Sequence, residues 1–171
     1  MEDCEAKRSA RMIVTLKEMK RIRQEAKRKG QRVVMTNGCF DLLHVGHLRC
    51  FKMAKALGDM LIVGVNSDRS VRKLKGKERP VFKAKDRVAM LDALQSVDYV
   101  FIFLEDTPKK WLREIKPDIL AKGGDDEKST KDYIVGKEIV EGYGGKVVLL
   151  PYIKGRSTTN IINKLKGVRN E

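Results

Sequence analysis

Thr36-Asn37-Gly38-Cys39-Phe40-Asp41-Leu42-Leu43-His44-Val45-Gly46-His47 lies between a short apolar run and an amphipathic stretch. The run before it, Val33-Val34-Met35, reads as a strand. Residues 45–57 have helical spacing and stop at Gly58. The quoted segment is thus the loop of a strand–loop–helix unit. Both histidines of the chain lie in it, three residues apart across Gly46. That spacing at a helix start puts both rings on one side of the entrance. Gly46 leaves the backbone between them bare, and the helix start adds free N–H groups and a positive dipole end. An imidazole there can donate to a phosphate oxygen or to a leaving oxygen.

The alternation continues outward. Residues 60–65, 99–104, 118–121 and 146–150 read as further strands. Thr15, with Glu18 three residues later, fits a capping box for a basic helix running to about Lys29 and closed by Gly30. Other helices are expected over 85–95, after Thr107 as N-cap with Pro108 in the first position, over 133–141, and from Ser157-Thr158-Thr159 to about Leu165. The strands are near-continuous apolar runs, as strands are when helices cover both faces. The pattern predicts one doubly wound α/β domain over residues 31–171 with a five-stranded parallel sheet. A 1–30 extension with its basic helix precedes it. Ligands of such sheets sit beyond the carboxyl ends of the strands.

The 171 residues suit a single domain, and the formal net charge is +14. Such a surplus points to an anionic partner: nucleic acid, a membrane surface, a nucleotide or a phosphorylated metabolite. Residues 69–87 hold nine Lys or Arg against Glu78 and Asp86, a net of +7. Aromatic residues are 6% of the chain, too few for the stacking surfaces of many nucleic-acid binders, so nucleic acid is the less favoured partner. No apolar run is long enough to cross a membrane, and the N-terminus has no signal-peptide core. Cys4, Cys39 and Cys50 have no zinc spacing and read as reduced thiols, which predicts a cytoplasmic protein.

Three further segments carry candidate chemistry. Asn66-Ser67-Asp68 follows the second strand and leads into the basic stretch. Lys122-Gly123-Gly124-Asp125 follows the fourth strand, where bare backbone can approach a nucleotide or simply turn the chain. Gly155-Arg156-Ser157-Thr158-Thr159 puts an arginine and three hydroxyls at a helix start, for phosphate, for capping, or for both.

Together these stretches resemble the HxGH nucleotidyltransferase superfamily. Within it they are most similar to the adenylyltransferases that make ADP-heptose from ATP and heptose 1-phosphate. The likeness rests on TNGCFDLLHVGH, LGDMLIVGVNSDRSV, LKGKERPV, VDYVF, EDTP, KPDILAKGGD, YGGKVVLLP and GRSTTNII, nearly the whole domain. Glycerol-3-phosphate cytidylyltransferases share the histidine motif and the Ser-Thr-Thr start. They usually carry Asp-Trp after the fourth strand, where this chain has Asp125-Asp126-Glu127.

The resemblance implies in-line attack of a sugar 1-phosphate on the α-phosphorus of ATP, with Mg²⁺ bridging the phosphates and pyrophosphate leaving. It implies catalytic roles for His44, His47, Lys75 and Arg87. It implies nucleotide contacts from Thr36, Asn37, Gly38, Cys39, Phe40, Gly46, Lys122, Gly123, Gly124, Asp125, Arg156, Ser157 and Thr158. Acceptor contacts fall to Asp41, Asn66, Asp68, Lys77 and Arg79, with Asp41 either holding the loop or meeting metal. No metal ligand is assigned. A homodimer is expected, as is a separate sugar kinase upstream. Alternatives on the same scaffold are CTP with glycerol phosphate or a related polyol phosphate, and ATP with flavin mononucleotide. An alternative of another class is a basic nucleic-acid-binding protein.

Overall fold

A computed structural model describes residues 13–124, 134–151 and 157–167. Cys4, Asp125, Tyr133 and Arg156 lie outside the described residues. The elements are α1 (Leu16–Arg28), β1 (Val33–Gly38), α2 (Val45–Lys55), β2 (Met60–Asn66), α3 (Asp68–Lys75), α4 (Ala84–Asp92), β3 (Tyr99–Phe103), α5 (Lys109–Ile115), β4 (Ile119–Gly124), α6 (Lys137–Gly142), β5 (Lys146–Pro151) and α7 (Thr158–Gly167). The five strands form one parallel sheet in the order β3-β2-β1-β4-β5. The order reverses at β1 and β4, which is the switch point of the sheet.

Alternate residues of each strand enter opposite layers. Val33 and Met35 join Met19 and Ala26 of α1, Phe101, Leu112 and Val140 on one face. Val34 joins Phe51 and Ala54 of α2 and Val88 and Leu91 of α4 on the other. Each such Val, Leu, Met or Phe side chain contributes about 1.5–3 kcal/mol when buried. The basic helix of the 1–30 extension, α1, packs in the first of these layers. Trp111 covers the sheet, stacked on Phe101 at 3.8 Å between centroids.

β1 lies in register with β2 over six residues but with β4 over two, Val34 opposite Ile119 and Met35 opposite Leu120. The amino end of this narrow seam is clamped by Asp118. Its N–H donates to the Val33 carbonyl at 2.9 Å, and its Oδ2 accepts from the Val33 N–H at 2.8 Å. Arg23 of α1 donates to Asp118 Oδ1 at 2.8 Å and to the Lys116 carbonyl at 3.0 Å, so the first helix braces that clamp.

The Thr15–Glu18 capping box forms as expected, and Gly30 takes φ +66° beyond the helix. Residues 69–75 were read as part of a basic loop, but they are helical. Ser67 caps α3 by accepting from the Ser70 N–H at 3.3 Å. Only Val71 and Leu74 are apolar in α3, so no hydrophobic period announced it. Pro108 rather than Thr107 holds the N-cap position of α5. The helix expected over 133–141 begins at Lys137, after Gly136 in a left-handed conformation at φ +91°.

Candidate active site

The site grows from the carboxyl end of β1. Thr36, Asn37 and Gly38 were expected in the loop but complete the strand. Phe40 then turns the chain at φ +46°, a left-handed conformation uncommon outside glycine. Its ring lies over Gly38, where a Cβ would fall 2.9 Å from the ring edge. The same ring meets Phe51 at 5.2 Å and His47, nearly perpendicular, at 5.6 Å between centroids. Gly38 makes room for Phe40, and Phe40 fixes His47.

His44 is the N-cap of α2, with Gly46 and His47 in its first turn. The two imidazoles stack at 3.8 Å with 25° between their planes. His47 Nδ1 accepts from the His44 backbone N–H at 3.3 Å. That bond assigns the ring proton to Nε2. Burial, and then the charge of His44, push His47 down to about 4. His47 at neutral pH is therefore an uncharged donor. Its Nε2–H can stabilise negative charge on an oxygen without the ring carrying a positive charge.

The loop between α3 and α4 is tied to the histidine loop by Asp41. This carboxylate is 1% exposed. Its Oδ2 pairs with Arg79, and its Oδ1 accepts from the N–H groups of Val81 at 2.7 Å and Phe82 at 3.1 Å. Behind it, Arg87 is 0% exposed. Its guanidinium donates to the carbonyls of Cys39, Phe82 (3.0 Å) and Asn66 (2.8 Å) and to Asp68 Oδ1 (2.8 Å). Asp68 Oδ1 also accepts from the Ala84 N–H at 2.8 Å and so caps α4. The Asn66 side-chain nitrogen donates to Ser70 Oγ at 2.9 Å.

Arg87 was expected as a catalytic group and Asn66 and Asp68 as acceptor ligands, while Asp41 was expected as an acceptor ligand that holds the loop or meets metal. Their polar atoms named above are engaged inside the protein, and three of the four residues are almost without surface. They form the frame that holds three segments at one edge. The backbone amides of Val81 and Phe82 complete that frame, and no sequence pattern marks them.

Lys75 ends α3, and Lys77 follows it; both are exposed. The charges of Lys75, Arg87 and Arg79 all act on the Cys39 thiol, which burial nevertheless raises above its ordinary value. The basic stretch thus borders the histidine loop. Gly123 and Gly124 were expected in a loop but end β4, opposite Leu150 and Pro151 of β5. Lys122 precedes them and donates to the Asn37 carbonyl at 3.2 Å and to its side-chain oxygen. At the last helix, Ser157 Oγ accepts from the Asn160 N–H at 3.1 Å, an N-cap bond. The Thr158 hydroxyl donates to the Leu42 carbonyl at 3.0 Å. The loop after β1 and the start of α7 are therefore in direct contact.

Among the described residues no three His, Cys, Asp or Glu stand together as metal ligands. The two carboxylates of this frame, Asp41 and Asp68, are taken up by arginine and backbone N–H groups, and Mg²⁺ favours oxygen donors over imidazole. These residues do not fit a protein-held Mg²⁺.

Stacked helix-start histidines over a parallel switch point, a basic frame and a hydroxyl-bearing helix start define a nucleotidyltransferase of the HxGH type. The cytidylyltransferase-like family model matches residues 35–164, and the chain belongs to that family. It is 52% identical over 140 residues to the bifunctional protein HldE of Geotalea uraniireducens. That match covers 82% of this chain but 28% of the relative. HldE of Campylobacter fetus is 48% identical over 169 residues, covering 98% of this chain and 34% of the relative. The chain thus spans about a third or less of these relatives.

Among solved structures, a lipopolysaccharide core biosynthesis protein from Thermoplasma volcanium is 31% identical with a TM-score of 0.61. The alignment covers 74% of this chain and all of that one. Pantoate-beta-alanine ligase from Francisella tularensis, 19% identical at TM-score 0.60, shares the fold, with 95% of this chain and 80% of that one covered.

Proposed function

We propose that this chain transfers the AMP moiety of ATP to heptose 1-phosphate, giving ADP-heptose and pyrophosphate. The observation that carries the reading is the stacked His44–His47 pair at the start of α2, joined through Leu42 to the hydroxyls of α7. The similarity to the HldE proteins supports the nucleotide-sugar product.

An oxygen of the sugar 1-phosphate attacks the α-phosphorus in line, and pyrophosphate departs with the bond electrons. Such a transfer needs positioning and charge neutralisation rather than a covalent intermediate. His44 and His47 donate to the phosphate oxygens as charge shifts onto them. The Ser157 hydroxyl and the backbone N–H of Thr158 hold the β- and γ-phosphates, while the Thr158 hydroxyl ties that helix start to Leu42. Lys75 and Lys77 receive the acceptor phosphate at the rim, beside the Arg79–Asp41 pair. Gly46, Gly123 and Gly124 let the nucleotide approach the backbone closely. Asp125 and Arg156 extend the nucleotide contacts from outside the described residues. Mg²⁺ enters with the substrate phosphates.

A homodimer, a cytoplasmic location and a kinase activity that supplies the sugar 1-phosphate belong to the same reading. No helix among the described residues is long and apolar enough to cross a membrane.

The test is pyrophosphate release with ATP or CTP against heptose 1-phosphate, glycerol 3-phosphate and flavin mononucleotide. ATP with heptose 1-phosphate should be the productive pair. Turnover of CTP with heptose 1-phosphate inert would overturn the reading.

A further inference from the structure

β1 and β4 pair over two residues and then part. Beyond that point residues 36–38 ladder with β2 alone, and residues 121–124 with β5 alone. The opening lies at the carboxyl edge, at the switch in strand order, where open parallel sheets take their ligands. Lys122 spans it, its ammonium donating to both oxygens of Asn37.

The other titratable groups acting on this ammonium are thiols. Cys50 reaches it from α2 and Cys39 from the loop after β1. Cys50 also packs beside Gly123, where a Cβ would sit 3.4 Å from its Sγ. Burial raises both thiols above their ordinary values, so both are neutral at physiological pH. Among the described residues no carboxylate forms an ion pair with Lys122, whereas Arg79 and Arg87 nearby each have one. A part-buried cation among neutral oxygens and thiols has no counter-charge among the described residues. Burial accordingly lowers Lys122 to about 8.

We propose that Lys122 is a positioning residue for the nucleotide, holding Asn37 across the parting of β1 and β4 and supplying there the positive charge that the nucleotide's phosphates neutralise. The inference rests on the nucleotidyltransferase reading and names the group that senses the polyphosphate at the switch point. A strut that only replaced a missing ladder bond would be served equally well by a neutral donor. A counter-charge would not.

The experiment is calorimetric binding of ATP and of adenosine to the full chain between pH 7 and 9.5, for the wild type, Lys122→Gln and Lys122→Arg. Above pH 8, where the fall is read, the γ-phosphate of ATP is ionised, its last ionisation lying at about pH 6–7 as for other phosphate esters. His47 titrates far below this window. A bound phosphate raises the ammonium's pKa, so affinity present below about 8 is lost as pH rises through that value. Wild-type affinity for ATP should fall above pH 8, approaching about tenfold per pH unit, while adenosine shows no such fall. Lys122→Gln should bind ATP about tenfold more weakly at pH 7 and lose the pH dependence. Lys122→Arg should move the fall to higher pH.

Melting curves at each pH confirm folding, and the wild-type and Lys122→Gln profiles suffice if arginine does not fit. Flat wild-type affinity for ATP from pH 7 to 9.5, or wild-type affinity in Lys122→Gln, overturns the proposal. A wild type that turns over ATP and heptose 1-phosphate with such a flat profile overturns the role of Lys122 alone. A wild type that binds neither ATP nor CTP overturns the functional reading as well. If CTP binds in place of ATP, CTP is the probe and the same two profiles decide.

Discussion

The hydroxyl of Thr158 donates to the carbonyl of Leu42 at 3.0 Å across 116 positions of sequence. Leu42 lies between Asp41, which holds the basic loop, and His44, which starts α2. One hydrogen bond therefore joins the start of α7 to the loop that carries the histidines.

Thr158→Val removes that donor and keeps the branched shape. It should lower stability by about 0.5–1.5 kcal/mol in urea unfolding. It should also reduce kcat/KM for ATP about tenfold or more, and Thr158→Ser should recover most of the activity. Unchanged turnover in a folded Thr158→Val protein removes the hydroxyl from the phosphate site.

His44→Ala and His47→Ala should each lower kcat by about 100- to 1000-fold, the usual loss of one donor to a developing oxyanion. Pyrophosphate release gives the rate, and circular dichroism confirms the fold. A folded His44→Ala protein with wild-type turnover ends the assignment for that residue.

Arg87→Met removes a buried guanidinium and strands the Asp68 carboxylate with three carbonyls. The expected loss is about 3–5 kcal/mol, seen as a lowered denaturant midpoint. Arg87→Lys should not rescue it, because one ammonium cannot span four oxygens in three segments. If Arg87→Met instead kept its stability and lost only turnover, the residue would be a substrate ligand after all.

Acid should weaken the fold through His47. Its pKa of about 4 lies below its ordinary 6.5, so the unfolded chain takes up the proton first. That contribution is whole above pH 6.5 and is lost as pH falls from there through about 4. Urea midpoints between pH 4.5 and 7.5 should decline on acidification for the wild type. His47→Gln should flatten that decline; a slope equal to wild type would disprove the cause.

The sheet was legible because each strand is a compact apolar run and each helix returns over it. Thr15 and Glu18 announced their cap because both partners are local. The histidine pair was legible for the same reason. α3 was not, since it buries one apolar side chain, Val71, in an otherwise charged stretch and leaves Leu74 exposed. Nor were the partners of Asp41, 38 to 41 residues away, or those of Arg87, which are spread over three segments 5 to 48 residues away. The charge count misled in one respect. Of the nine cations between 69 and 87, Arg79 and Arg87 pair with Asp41 and Asp68 within the fold, and Lys73 pairs with Asp106 at the surface. The grip on phosphate falls to fewer cations than the surplus suggests.

The two-residue seam between β1 and β4 also bears on how the chain assembles. β1, β2 and β3 come from residues 33–103, and β4 and β5 from residues 119–151, so each half-sheet closes its ladders within its own stretch of sequence. Joining them is then a late docking of two locally formed pieces, with little loop closure left to complete. A nucleotide bridging the parting would stabilise contacts made after the folding barrier. Its effect should therefore appear chiefly as slower unfolding, with the refolding rate nearly unchanged.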